Sequence, residues 1–324
     1  MSKLITITLN TAVDEVLEVT QSQNSKPIVD TVRRFMFPSG KGVNVARAVA
    51  TLGQPVRSLG FVGEGEGDLF ASLQAIGVET LLTSTYGETR VNTTVCDLGD
   101  QSTWHIRRPG FSVSDPQMQA FEDKLTKMLV PGDVVVIAGT LPPGLSAQTY
   151  SKMIRLCQES KCRVVFDSSE TDLISGIEGK PDVIKPNIEE LASILGRVVT
   201  STAEIIRGAC EIIQGGIKIV IVSRGSEGAV AVFDNGNRAL SAEVQPDRTV
   251  ISTGAVGSGD ALVGGVATAL VQARDISEAL RLGVACGVAN MLTIGPAVFD
   301  QQDVARLAQK VVLKEIDVLS AIGA

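Results

Sequence analysis

Short runs of β-branched and aliphatic residues alternate with amphipathic helical stretches along most of this chain, and that alternation restricts the fold more than any other feature. The runs are LITITL (4–9), VRSLGFV (56–62), DVVVIAG (133–139), CRVVFD (162–167), DVIKPN (182–187) and KIVIVS (218–223). Helical periodicity falls at 42–53, 67–76, 115–129, 147–160, 188–195 and 202–214. Strands that are apolar on both faces must be covered on both sides, and parallel neighbours need a helical crossover between them. The pattern predicts an α/β three-layer sandwich with a mostly parallel central sheet. Beyond 223, GAVAVFDNGNRALSAEV carries an Asp-Asn-Gly-Asn turn and predicts a hairpin. Helical runs at 258–273, 276–291 and 301–318 complete the chain.

Two stretches depart from this rhythm. Residues 14–36 and 90–106 alternate polar and apolar positions, the second around a Gly-Asp turn, as half-exposed antiparallel strands do. They predict a small antiparallel β lid over the carboxyl ends of the sheet strands, where α/β proteins bind ligands. On this reading residues 1–324 make a single domain without internal repeats. The lid's uncovered edges invite a partner, so a homodimer through the lid is expected.

A net charge of −7, with no basic cluster larger than Arg33-Arg34 and Arg107-Arg108, argues against a nucleic-acid surface. Any phosphate must be bound in a local pocket. Cys96, Cys157, Cys162, Cys210 and Cys286 show no C-x-x-C spacing, and most sit in apolar stretches, as buried thiols of a reducing compartment do. His105 is the only histidine, which excludes His-rich metal sites and leaves a Ser-His-Asp triad one possible base. MSKLITITLN has too short an apolar run and too few basic residues for a signal peptide. No segment reaches the ~18 apolar residues of a membrane span. A cytoplasmic protein with neither nucleic-acid nor membrane partners is expected.

Three glycine-rich stretches compete for a phosphate. VGEGEGD (62–68) follows a strand, but Glu64, Glu66 and Asp68 would repel a pyrophosphate and the G-x-G-x-x-G spacing is absent; it reads as a surface turn. In PSGKGVNVARAVATLG (38–53), Gly42 allows a close approach and Asn44 stands one turn into a helix that buries Val45, Val49 and Leu52. A ligand contact and a plain turn with a helix cap are both open there. STGAVGSGDALVGG (252–265) is the strongest: Gly254, Gly257 and Gly259 precede a helix that begins near Asp260 and buries Leu262, Val266 and Leu270. Asp260 could simply cap that helix, although so many glycines beside one cap cost backbone entropy. Phosphoryl transfer gives amides and a carboxylate a reason to be neighbours. The amides hold charge on the transferring group while the carboxylate accepts the proton of the attacking hydroxyl. Elsewhere, Asn187 and Glu190 are three apart at a helix start and share a face.

Taken in order, TLNTAVD (8–14), SGKGVNVARAVATLG (39–53), TRVN (89–92), AGTLPPG (138–144), IKPNIEEL (184–191), SRGSEGA (223–229) and VGSGDALVGG (256–265) cover nearly the whole chain. This series resembles the ribokinase-like (PfkB) carbohydrate kinases, and within them the branch of 1-phosphofructokinase, tagatose-6-phosphate kinase and the minor 6-phosphofructokinase. The resemblance implies ATP and Mg2+ as cofactors and a phosphorylated ketohexose (fructose 1-phosphate, fructose 6-phosphate or tagatose 6-phosphate) as acceptor. It implies Asp260 as catalytic base, with Gly257, Ser258 and Gly259 as the anion hole. Asp14, Gly40 and Asn44 would hold sugar hydroxyls, with Ser39 where a glycine is usual. Arg90 would grip the phosphate already on the sugar, in the bidentate geometry that suits arginine. Lys185, Asn187 and Glu190 match the segment near the nucleotide phosphates and Mg2+, with Glu190 acting through metal-bound water. Ser223, Gly225 and Gly228 match the nucleotide-phosphate turn, and Asn290 a position lining the adenine pocket.

Some positions depart from the family pattern. Ala255 replaces the usual threonine near the nucleotide, and Thr11 a frequent proline. His105 stands near the place of a second phosphate-binding arginine, with Arg107 two residues on along the same strand face. Imidazole is a weaker, pH-dependent phosphate partner, which leaves the identity of the sugar phosphate open. Two other readings are a kinase of an unphosphorylated sugar or nucleoside, and a non-catalytic sugar-phosphate-binding protein on the same fold. Intact Asp260, Lys185 and Glu190 count against the last.

Overall fold

The computed structural model describes residues 3–20, 30–100, 102–251 and 256–323. Its strands are β1 (Leu4–Thr8), β2 (Ala12–Thr20), β3 (Asp30–Ser39), β4 (Val56–Gly63), β5 (Val78–Thr85), β6 (Arg90–Asp97), β7 (Thr103–Arg107), β8 (Val134–Ala138), β9 (Arg163–Asp167), β10 (Val183–Ile184), β11 (Ile219–Ser223), β12 (Ala229–Phe233), β13 (Arg238–Glu243) and β14 (Val312–Ile316). The helices are α1 (Lys41–Thr51), α2 (Gly67–Ala71), α3 (Asp115–Met128), α4 (Thr149–Glu159), α5 (Glu170–Ile177), α6 (Ile188–Leu195), α7 (Thr202–Gln214), α8 (Ser258–Val271), α9 (Ile276–Asn290), α10 (Gln301–Lys310) and α11 (Val318–Gly323).

Ten strands form the main sheet in the order β14-β13-β12-β11-β10-β9-β8-β1-β4-β5. Neighbours are parallel from β5 to β11 and antiparallel from β11 to β14. The two-residue period of a strand sends alternate side chains to opposite faces. Leu4, Val134, Val136 and Val165 pack with Val45 and Val49 of α1 and Leu262 and Val266 of α8. Ile5, Ile7, Val135 and Ile137 pack on the other face with Phe121 of α3, Tyr150 of α4 and Ile206 of α7. Each fully buried aliphatic side chain contributes about 1.5–3 kcal/mol, and these two apolar layers make the three-layer α/β fold that the alternation predicts.

The small sheet runs β3-β2-β6-β7. Its outer pairs are antiparallel, while the central pair, β2 with β6, is parallel. The parallel pairing follows from connectivity, because β4, α2 and β5 lie between the two strands and bring the chain back in its original direction. Residues 21–29 of the first lid stretch lie outside the described residues.

Several elements differ from expectation. The 301–318 run is not one helix: α10 ends at Lys310, and β14 then pairs antiparallel with β13. Its VLKEI sequence fits either period, and the open edge of β13 supplies ladder partners that decide for a strand. The strand β5 and the helix α5 carry too mixed a pattern to be anticipated; β5 is the half-buried edge of the sheet. DVIKPN gives only a two-residue strand, since Pro186 has no N–H to donate and biases Lys185. The VGEGEGD stretch does turn at the surface, with Glu64 and Gly65 exposed.

Strand β1 sits between β4 and β8, so successive crossovers leave it in opposite directions and open a crevice at the carboxyl ends of the strands. The lid rises from that end of β1, where Ala12 already belongs to β2. Asp167 ends β9, Ser223 ends β11 and Lys185 follows β10, so all three meet the crevice.

Candidate active site

Gly257 is the N-cap of α8, with φ +83°, and among the described residues no side-chain hydrogen bond is seen to cap this end. A Cβ at Gly257 would lie 2.6 Å from Pro296 Cα and 2.7 Å from Ala297 N, so the turn admits only glycine. The first N–H groups of a helix lack intrahelical acceptors, and the helix dipole makes this end an anion site. Asp260 is not the cap of its own helix: its Oδ2 accepts a 2.8 Å hydrogen bond from Nδ2 of Asn44 on α1. Burial raises the Asp260 carboxyl, and so does neighbouring Asp167, while Lys41, the Asn44 bond and Lys185 lower it, leaving it at about 6. Gly254 and Ala255 lie outside the described residues.

A cavity of about 760 Å³ opens over this helix end, and Gly257, Ser258, Gly259, Asp260, Lys185, Asn187, Glu190, Ser223, Gly225 and Gly228 all line it. The strand–helix order therefore brings together three motifs that are far apart in sequence. Two further lining residues, Lys41 and Asp167, escaped sequence reasoning. The Lys41 and Lys185 ammonium groups lie 3.4 and 3.5 Å from the same oxygen, Asp167 Oδ1. Burial pulls the Lys41 pKa down, but Asp167, Asp260 and Glu190 more than offset it, and the net shift is upward. Both residues left a signal: Lys41 lies inside SGKGVN, and Asp167 closes an apolar strand at the ligand-binding edge.

Asn187 and Glu190 cap α6 reciprocally. Asn187 Oδ1 accepts from the Glu190 N–H at 2.7 Å, and Glu190 Oε2 accepts from the Asn187 N–H at 2.9 Å. This capping box occupies the amide oxygen of Asn187 and one carboxylate oxygen of Glu190. Among the described residues, no group of three or more His, Cys, Asp or Glu side chains is placed to hold a metal. A donor set with one spare carboxylate oxygen fits an ion that keeps water and takes phosphate oxygens as ligands, as Mg2+ does.

On the lid side, Asp14 Oδ2 lies 2.6 Å from Ser39 Oγ, and Asp14 Oδ1 accepts from Asn92 Nδ2 at 2.8 Å. Ser39 Oγ is also 2.9 Å from Asn44 Oδ1, so a line of polar contacts runs from Asp14 past Ser39 and Asn44 to Asp260. Gly40, at φ +113°, forms the N-cap of α1 beside them. Arg90 is half-buried and donates to the carbonyls of Thr11 and Asn10 at 3.4 and 3.2 Å. Burial lowers its pKa first, Asp14 opposes, and nearby Arg107 lowers it again, which places two guanidinium groups in one neighbourhood. Arg107 stands opposite Asn92 in the lid, and His105 opposite Thr94, whose Oγ1 is 3.1 Å from His105 Nδ1. Both are exposed.

Asn290 stands apart from the expected ligand contacts. It is fully buried and absent from the cavity wall, where Gly287, Val288 and Met291 stand instead. Its Nδ2 donates to Val256 O at 3.0 Å and Ser258 Oγ at 3.1 Å, and its Oδ1 accepts from the Val298 N–H at 3.1 Å. These bonds brace the glycine turn from behind.

Comparison with known proteins agrees with this geometry. The model of the pfkB family carbohydrate kinases matches residues 7–302. The 1-phosphofructokinase of Vibrio cholerae is 32% identical over 310 residues, covering 95% of this chain and 96% of the relative. The crystal structure of phosphofructokinase-2 from Escherichia coli in complex with fructose-6-phosphate superposes with a TM-score of 0.86 at 26% identity, over 95% of this chain and 99% of the other. Arabidopsis thaliana ribokinase, complexed with ribose and ATP, shares the fold at a TM-score of 0.74 and 19% identity, over 95% of this chain and 99% of that one. With a helix end open to anions, a buried carboxylate beside it and a family match across nine-tenths of its length, the chain belongs to the PfkB family of carbohydrate kinases and is a phosphotransferase with an alcohol acceptor.

Proposed function

We propose that this kinase transfers the γ-phosphoryl group of ATP to a free hydroxyl of a phosphorylated ketohexose, with Asp260 as the base. One observation carries the reading: the Asp260 carboxylate is fixed by Asn44 where the polar groups of the sugar side meet the N-terminal end of α8. Asp14, Ser39, Gly40 and Asn44 then orient the sugar, and Asp260 takes the proton from its attacking oxygen. The amides of 257–260 and the ammonium groups of Lys41 and Lys185 hold the charge of the group in transfer. Ser223, Gly225 and Gly228 support the nucleotide phosphates. Mg2+, when bound with the nucleotide near Glu190 and Asn187, supplies charge neutralisation on the phosphates.

Fructose 1-phosphate is the acceptor we favour, because relatives that cover nearly the whole chain are 1-phosphofructokinases. The closeness of the Arg90 and Arg107 guanidinium groups supports a phosphate on the sugar. The test is coupled ADP release with fructose 1-phosphate, fructose 6-phosphate, tagatose 6-phosphate, fructose and ribose. Arg90→Ala is expected to raise KM for the sugar phosphate about a hundredfold while kcat falls far less, the signature of lost ground-state and transition-state binding in equal measure. Equal rates with unphosphorylated sugars, or an unchanged KM, would sink the phosphosugar reading.

We also propose a homodimer through the lid and a cytoplasmic location. Met36, Trp104 and Ile106 lie on the lid face opposite Asp14, Asn92 and Arg107, and are 42%, 48% and 51% exposed. All five cysteines are free and buried, which suits a reducing compartment. Light scattering should give a dimer at assay concentration, and Ile106→Asp should shift it to monomer; a monomeric parent removes the proposal.

A further inference from the structure

Arg47 has no part in the mechanism above, yet it is a cation buried beside it. Only 6% of it is exposed, and its hydrogen bonds go to neutral oxygens: Nη1 donates to Pro296 O at 2.6 Å and Asn44 Oδ1 at 3.2 Å, and Nη2 donates to Pro38 O. Burial drives its pKa down to about 10 against the pull of Asp14 and Asp260, so it stays charged at neutral pH. A buried cation without a hydrogen-bonded carboxylate is costly, and a methionine of similar length would pack there at less expense.

The contacts show what the charge achieves. Ser39 Oγ has one hydrogen and two acceptors, Asp14 Oδ2 at 2.6 Å and Asn44 Oδ1 at 2.9 Å. The shorter, charge-assisted contact takes that hydrogen. Asn44 Oδ1 then depends on Arg47, which can only donate. An amide whose oxygen is held in this way must turn its NH2 to the other side, toward Asp260 Oδ2. The opposite orientation would set the amide oxygen against Asp260 and favour the protonated carboxyl.

We propose that Arg47 is a positioning residue: it locks the Asn44 side-chain amide in the orientation that donates to Asp260 and so keeps that carboxyl ionised and aimed. Through Pro38 and Pro296 it also joins the turn that carries Ser39 to the segment packed behind Gly257, so acceptor and donor halves share one anchor. The charged groups facing Asp260 are Lys41 and Arg47 from α1, Asp167 from β9 and Lys185 beyond β10, with Asp14 of β2 on the far side of Arg47. Among them Arg47 is the one that acts through Asn44.

The inference rests on the assignment of Asp260 as base, but its test can be read without turnover. The Asp260 carboxyl is titrated by 13C NMR in the ligand-free protein, its signal identified by its loss in Asp260→Asn, alongside the pH dependence of kcat. In Arg47→Met the midpoint should rise by about one pH unit, and kcat at pH 6 should fall about fivefold with KM for ATP within about twofold. Arg47→Lys, which restores a cation that only donates, should return the midpoint to that of the parent. A parental midpoint in Arg47→Met, or an equal shift in the Lys variant, overturns the inference. Should the Met variant fail to fold, Arg47→Leu, which likewise cannot donate, is read in its place. A parent with no kinase activity sinks the proposed function, while the NMR midpoints still decide this proposal.

Discussion

Asp260→Asn is expected to abolish most turnover while making the protein more stable. The amide keeps an oxygen for Asn44 Nδ2 and fills the same space, so both substrates should bind with nearly unchanged KM. It cannot accept a proton, and a positioned general base contributes roughly 10²–10⁴-fold, so kcat should fall by about three orders of magnitude. In the parent, kcat should decline about tenfold per pH unit below about 6, where the carboxyl protonates, and this acid limb should vanish in the variant. Stability runs the other way. The carboxyl has a folded pKa above its unfolded value, so ionising it inside the protein costs stability at every pH above about 6, and that cost disappears below the ordinary aspartate range. The shift corresponds to a penalty on the order of 3 kcal/mol at pH 8. Replacing the charge by an amide should therefore raise the melting temperature by a few degrees at pH 8 and hardly at all at pH 4. A variant that retains parental kcat, or melts lower at pH 8, refutes the role assigned to this carboxylate.

That prediction depends on geometry only partly legible in the sequence. The sheet was legible because strands buried on both faces leave no ambiguity of period: LITITL, DVVVIAG and CRVVFD each became a central strand. Half-buried and edge elements were not, since their partners decide them; VLKEI became β14 only because β13 offers a free edge. In the site, glycine spacing and motif order pointed to Gly257, Asp260, Lys185 and Glu190, which do converge on one cavity. Lys41, Asp167 and Arg47 were missed because a lysine, an aspartate or an arginine in an amphipathic stretch reads as a solvated charge until packing buries it. Asn290 shows the converse. Near a helix end an asparagine reads as exposed or ligand-facing, whereas here it satisfies buried backbone groups of the turn before α8.

Gly257→Ala is expected to cost both stability and turnover. The added Cβ would meet Pro296 Cα at 2.6 Å and Ala297 N at 2.7 Å, both backbone atoms that no rotamer change can clear. Alanine at φ +83° adds about 1–2 kcal/mol of backbone strain, and overpacking adds about 1–3 kcal/mol more. Pro296 cannot simply retreat, because its carbonyl is held by Arg47. The turn must yield instead, and it carries the amides that face the transferring group, so donors and carboxylate lose their mutual alignment. Losing one oxyanion donor costs about 10²–10³ in kcat, and a loss of that size is expected here, with KM for ATP raised and KM for the sugar phosphate nearly unchanged, because Asp14, Ser39 and Arg90 lie on the other side of Asn44. Steady-state kinetics with each substrate varied in turn separates these effects. If kcat stays parental while the protein only melts earlier, the turn is a structural element and the amides of 257–260 do not hold the phosphoryl group.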